Sequence, residues 1–264
     1  MSTAEELKNA GNARKAAGDL EGAAESYRRS LEISPDYAPA LYNLGLVLHE
    51  AGRLEQAESA FRRLLRLEPR DLEALMHLAA VLGKRSQFRD AAATYRKALE
   101  LAPEEPYLWM LLGIASRELE TGLEDSIMAL RKSTELKPDL AEAHYHLALA
   151  CKRLGRIDEA VASYRRALAL DDAISGAHND LGDILQEEGK LDDAVRHYRS
   201  AIRTSPDYAA AYSNLGAALA RQNRLDEAAE LLFRAIRLQP ELADAHLNLG
   251  SVHSLLGKRD EALR

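Results

Sequence analysis

An imidazole and two carboxylates held together can bind a divalent cation or pass a proton, and His146, Asp180 and Asp183 are the residues of this 264-residue sequence whose types and spacing raise that chemistry. Spacing is the whole of the signal. No glycine-rich phosphate loop, HExxH or nucleophile elbow accompanies it. The lone cysteine, Cys151, allows neither an internal disulfide nor a multi-thiolate zinc site, and reads as a small buried hydrophobe. The sequence is therefore expected to be non-catalytic, with no metal and no cofactor.

Binding is the chemistry that remains, and composition narrows the partner. A hydrophobic share of 47% with 29% charged residues describes a core-forming chain, and a net charge of −7 argues against nucleic acid, whose affinity comes from clustered Lys and Arg. The apolar runs fall short of the ~18 residues of a membrane span. MSTAEELKNA lacks the basic-then-apolar build of a secretory leader, so no membrane and a cytoplasmic location are expected.

Any binding residues must be positioned by repeated elements. SPDYAPALYNLG at Ser34 returns as SPDYAAAYSNLG at Ser205, 171 residues on, or five periods of 34 plus one. Gly11, Gly45, Ala79 and Gly113 are 34 apart, Gly113 to Ala148 is 35, and Ala148, Gly182, Gly216 and Gly250 resume at 34. The insertion falls in 117–122. Repeats then begin at Ala4, Ala38, Leu72, Pro106, Ala141, Ser175, Ala209 and Ala243: seven complete and a partial eighth, read as one domain over 1–264. Three-and-four spacing of apolar residues gives two helices per repeat. Gly18, Gly52, Gly155, Gly189, Asn223 and Gly257 are expected to end first helices, and Pro35, Pro69, Pro103, Pro138, Pro206 and Pro240 to end second helices, with Asp172 the exception. The glycines of the Gly11 series imply close approach of paired backbones, and Tyr27, Phe61, Tyr95, Leu130, Tyr164, Tyr198 and Leu232 imply knobs between repeats.

These slots, the closing proline and the period resemble the tetratricopeptide repeat, with Trp109 in the slot the family often gives to tryptophan. The resemblance implies an all-α fold, a right-handed superhelical solenoid of stacked antiparallel helix pairs whose first helices line a concave groove. A further likeness, to the asparagine ladder in the repeat region of O-linked N-acetylglucosamine transferases, rests on Asn43, Asn214 and Asn248. Lys8, Asn12 and Asn43 resemble three members of the carboxylate clamp of chaperone-binding relatives, although Glu73 and His77 stand where that clamp needs basic residues.

Residues that packing leaves over then suggest a guest. Apolar side chains at the groove positions, Tyr42, Leu46, Met76, Met110, Ile114, Tyr145 and Leu149, are expected to be exposed, since an exposed apolar strip marks a binding surface. Asn43, Asn214 and Asn248, with the mixed row that includes His77 and His146, would hold backbone groups. His144, His178 and His246 read as core histidines and Trp109 as a packed residue. Leu249, Val252 and Leu256 read as poorly covered. The expected function is a non-catalytic interaction scaffold holding a protein or peptide in the groove; alternatives are the substrate-selecting arm of a larger enzyme such as a glycosyltransferase, and a homo-oligomer assembled through the C-terminal end.

Overall fold

The computed structural model describes residues 2–262, with side chains as far as Gly257. Helix is the only regular structure among the described residues. The helices pair as α1 (Ala4–Ala16) with α2 (Leu20–Ile33), α3 (Ala38–Glu50) with α4 (Leu54–Leu67), α5 (Leu72–Lys84) with α6 (Phe88–Leu101), and α7 (Pro106–Arg117) with α8 (Leu123–Leu136). They continue as α9 (Ala141–Arg153) with α10 (Ile157–Leu170), α11 (Ser175–Glu187) with α12 (Leu191–Thr204), and α13 (Ala209–Arg221) with α14 (Leu225–Leu238), followed by α15 (Ala243–Ala262). Every first helix opens at the first residue of its repeat. The inserted residue lies in the 118–122 link, beside a shortened α7. The architecture is an all-α solenoid of helix pairs. α1 to α8 form one compact unit and α9 to α15 a second, divided between Pro138 and Asp139. Within each unit successive helices pack on one another, and first helices also meet, as α1 with α3 and α11 with α13.

The helix ends follow local chemistry. Thr3 and Glu6 form a capping box, and the Asp19 and Asp71 carboxylates accept from Gly22 and Ala74 amides. Between the helices of six pairs, all but α7 and α8, one residue turns to positive φ and the next amide bonds five residues back: Asp19 to Arg14, Arg53 to Leu48, Gln87 to Leu82, Arg156 to Cys151, Lys190 to Leu185 and Arg224 to Leu219. The third of these turns is made by Ser86 at φ 58°, a residue the sequence did not flag because serine lacks the freedom of glycine.

The turn expected in the eighth repeat does not form. α15 runs through Gly257, whose φ is not positive. Glycine permits such a turn without compelling it; elsewhere a packed second helix seats its knob on the first-helix glycine, and over Gly250 nothing lies within 4 Å. The side chain of Ala262 and the whole of Arg264 lie outside the described residues.

The knobs correct the packing argument. A Cβ on Gly11 would stand 2.5 Å from Tyr27, on Gly45 2.6 Å from Phe61, on Gly113 2.5 Å from Leu130 and on Gly182 2.6 Å from Tyr198. The glycines therefore make room for a bulky side chain of their own repeat, rather than for a neighbouring backbone. Tyr27, Phe61, Leu130 and Tyr198 are fully buried by this means.

Rings at the fourth position of three repeats anchor the preceding loop through a backbone carbonyl. Trp109 Nε1 donates to the Pro103 carbonyl at 2.7 Å, Tyr212 Oη to Pro206 at 3.3 Å, and His246 Nε2 meets Pro240 at 2.8 Å. Where Asp172 replaces the proline, His178 Nε2 instead meets the Asp172 carboxylate at 3.1 Å, and its Nδ1 meets His197 Nδ1 at 2.9 Å. His178 is the buried histidine expected of that row; His144 is half-buried and His246 is exposed, because a ring tied to a loop carbonyl need not leave water. Trp109 is likewise only half-buried. Cys151 is buried. Leu249 and Val252 are buried too and Leu256 is half-buried, so the large apolar residues of α15 that are exposed, among the described residues, are Leu247 and Leu255.

Candidate protein-binding face of the first helices

In the first unit the candidate residues are held largely by one another. Lys8 Nζ donates to Asn9 Oδ1 at 2.7 Å. Asn12 Oδ1 accepts both Tyr27 Oη at 2.8 Å and Asn43 Nδ2 at 3.0 Å, so the first polar rung joins α1 to α3. Tyr42 Oη donates to Glu73 Oε2 at 2.7 Å, while its ring meets Phe61 and His77 edge-on. Burial and the neighbouring Glu73 push the Tyr42 phenol above its usual range. His77 stacks on Phe61 at 5.7 Å, and burial lowers its pKa, so it serves as a neutral aromatic filler.

Leu46, Met76 and Ile114 are half-buried, with part of each side chain facing solvent. Met110 departs from the expected exposed strip: at 6% exposure it is covered by its neighbours. Beside Tyr42 lies a cleft of about 250 Å³ lined by Pro39, Leu64, Glu68, Asp71 and Glu73.

The second unit carries more of its polarity inward. Tyr145 and His146 are half-buried with ring centroids 5.4 Å apart, and Leu149 is half-buried. The Tyr145 hydroxyl lies over Gly176, where a Cβ would come within 2.5 Å. Asp183 Oδ1 accepts Tyr198 Oη at 2.9 Å and Asn214 Nδ2 at 2.8 Å; Asn214 also donates to Asn179 Oδ1 at 3.1 Å. This reproduces the Tyr27, Asn12 and Asn43 rung, each member displaced by 171 residues. The peptide repeated at Ser34 and Ser205 thus supplies the asparagine of one hydrogen-bonding device twice. Asn248 Nδ2 reaches Ser213 Oγ at 3.4 Å.

Asp180 and Asp183 do come together, around an ammonium: Lys152 Nζ is 3.1 Å from Asp180 Oδ1 and 3.5 Å from Asp183 Oδ2. Burial raises the Asp183 pKa and Lys152 opposes the rise. Among the described residues no three metal-ligating side chains lie close enough to share an ion. No described helix is long and apolar enough to cross a membrane.

The three asparagines therefore spend amide hydrogens on the preceding repeat. A cleft of about 380 Å³ does open beside Asn248, with Ala217, Ala220, Val252 and Leu255 as its apolar lining and Gln186, Arg221 and Ser251 as polar lining. Sequence reasoning missed Ala217 and Ala220 because it sought large side chains; two alanines on successive turns of one face were the available sign of a hollow.

Solved structures carry the same fold. A tetratricopeptide repeat protein from Parabacteroides merdae ATCC 43184 aligns over 95% of this chain and 98% of its own, at 19% identity and a TM-score of 0.74. A MamA fragment from Desulfovibrio magneticus RS-1 aligns over 64% of this chain and 94% of its own, at 24% identity and a TM-score of 0.60. YrrB, described as a tetratricopeptide repeat protein with an unusual peptide-binding site, aligns over 71% and 96%, at 22% identity and 0.57. No curated protein matches the chain. A repeat model of the tetratricopeptide class matches residues 11–52, and the model described as the cilia and flagella-associated protein 70 C-terminal domain matches residues 37–248. With helix pairs at the 34-residue period, glycines seated under knobs and this match over most of its length, the chain belongs to the tetratricopeptide repeat proteins, in the family that the cilia and flagella-associated protein 70 C-terminal domain defines.

Proposed function

We propose that the chain is a non-catalytic cytoplasmic scaffold whose first helices receive a peptide segment of another protein. The observation that carries this reading is the cleft over Ala217 and Ala220, where an apolar lining is edged by the amides of Asn248 and Gln186 and by Arg221. Apolar side chains of a guest would be desolvated on the alanines, Val252 and Leu255, while amides that both donate and accept would hold its backbone. In the first unit, the half-exposed Leu46, Met76 and Ile114 and the cleft beside Tyr42 supply a second apolar surface, and Glu68, Asp71 and Glu73 would suit a basic side chain there. The peptide-binding site in the printed description of YrrB, a protein of the same fold, agrees with this reading.

The experiment is a peptide array probed with the purified chain and with Ala217→Trp/Ala220→Trp, which fills the second-unit cleft. Loss of the captured set, with unchanged helicity by circular dichroism, is the expected result; an identical set would remove the cleft from consideration. Light scattering on the same samples reads a second outcome, in which Leu247 and Leu255 seat another copy of the chain.

A further inference from the structure

The second helices of the first unit carry a separate feature. A cleft of about 320 Å³ opens over α5 between α4 and α6, lined by Leu65, Pro69, Leu75 and Leu78 and by Arg62, Arg66, Thr94 and Lys97. The Thr94 hydroxyl donates to the Asp90 carbonyl at 2.7 Å, and Arg62 pairs with Glu58 at 2.7 Å. Arg66 and Lys97 have no carboxylate partner among the described residues.

Two of their counterparts in other repeats, Arg63 and Arg203, do. Arg63, one period before Lys97, reaches the Pro35 carbonyl and the Asp36 carboxylate; one period after Asp36 the sequence places Arg70, so the acid that Arg63 meets has no equivalent one period on. Arg203, in the place of Arg66 within the sixth repeat, pairs with Asp172 of the fifth at 3.1 Å, and the residue matching Asp172 ahead of Arg66, in the first repeat, is Pro35. Two replacements thus leave Arg66 and Lys97 without the acids that pair with Arg203 and Arg63, around an apolar floor in a chain of net charge −7.

We propose that this cleft docks an acidic peptide segment of a partner protein that carries one large apolar side chain. The apolar group lies on Leu65, Leu75 and Leu78, and flanking carboxylates pair with Arg66 and Lys97, which gain charge-assisted bonds that the chain itself does not supply. This site is independent of the first-helix face.

Fluorescence anisotropy of a fluorescein-labelled peptide, one leucine among aspartates and glutamates, tests it. Arg66→Glu/Lys97→Glu should weaken binding by about tenfold or more, the equivalent of about 1.4 kcal/mol, while Leu46→Glu on the first-helix face leaves it unchanged. A peptide with glycine for the leucine should bind correspondingly worse. No measurable binding of the leucine peptide, equal binding by the double variant with unchanged circular dichroism, equal binding of the leucine-free peptide, or tighter binding of an oligonucleotide or an anionic vesicle would each overturn the proposal.

Discussion

The two units apply one backbone plan to different cements. In the first, the facing surfaces of adjacent first helices are joined mainly by apolar and aromatic contact, with Tyr42 and His77 packed about Phe61 and Met110 buried among its neighbours. In the second, Asp183 gathers Tyr198, Asn214 and Lys152, and Asn179 is buried beside them. Such networks stabilise only while every member is satisfied, so they are brittle where an apolar seam is forgiving. The difference teaches that helix pairing and the link between pairs are separable: the knob on its glycine is common to both units, and the seam is free to vary.

Asp183→Ala is expected to have the largest effect. It leaves the buried Tyr198 hydroxyl and the Lys152 ammonium without their shared acceptor and should cost about 2–4 kcal/mol, read by urea unfolding. Asn12→Ala, at the matching place in the first unit but exposed, should cost about 1 kcal/mol. Equal losses would break the contrast between the seams.

Glycine substitutions test the shared device. Gly45→Ala and Gly182→Ala each drive a methyl into a knob ring and should destabilise by about 1–3 kcal/mol in either unit. Gly250→Ala meets open space and should stabilise by about 0.5–1 kcal/mol, as alanine favours helix. A loss at Gly250 of the same size as at Gly45 would mean the cost lies in the backbone and not in the knob.

The smallest effect is in pH. Burial lowers His49 and His77 in the first unit and His197 in the second, so the unfolded chain takes up protons more readily than the folded one. Their contribution is full above the unfolded pKa of about 6.5 and is lost as pH falls below it. His77→Phe should keep the ring stack on Phe61 and reduce the fall in melting temperature between pH 7 and 5.5; an unchanged fall would place the acid sensitivity elsewhere.

The repeat boundaries, the helix pairs, the place of the extra residue and most turns were legible in the sequence, because period, proline and glycine act through local backbone geometry. Ser86 was not, since its positive φ is imposed by the bonds around it and by the packed helices on either side. Gly257 failed for the reverse reason: the local permission was present and the packed knob was not. Among candidate site residues, the positions were readable but their availability was not. Whether Met110 faces water, whether the amides of Asn43 and Asn214 are already engaged, and whether Asp183 meets an ion or Lys152 depends on side chains one repeat away. Sequence fixes what each residue can do through bonds to its own helix; only packing between repeats decides which of those capacities are already spent, because the competing partner lies about 30 residues distant in the chain and a few ångströms away in space.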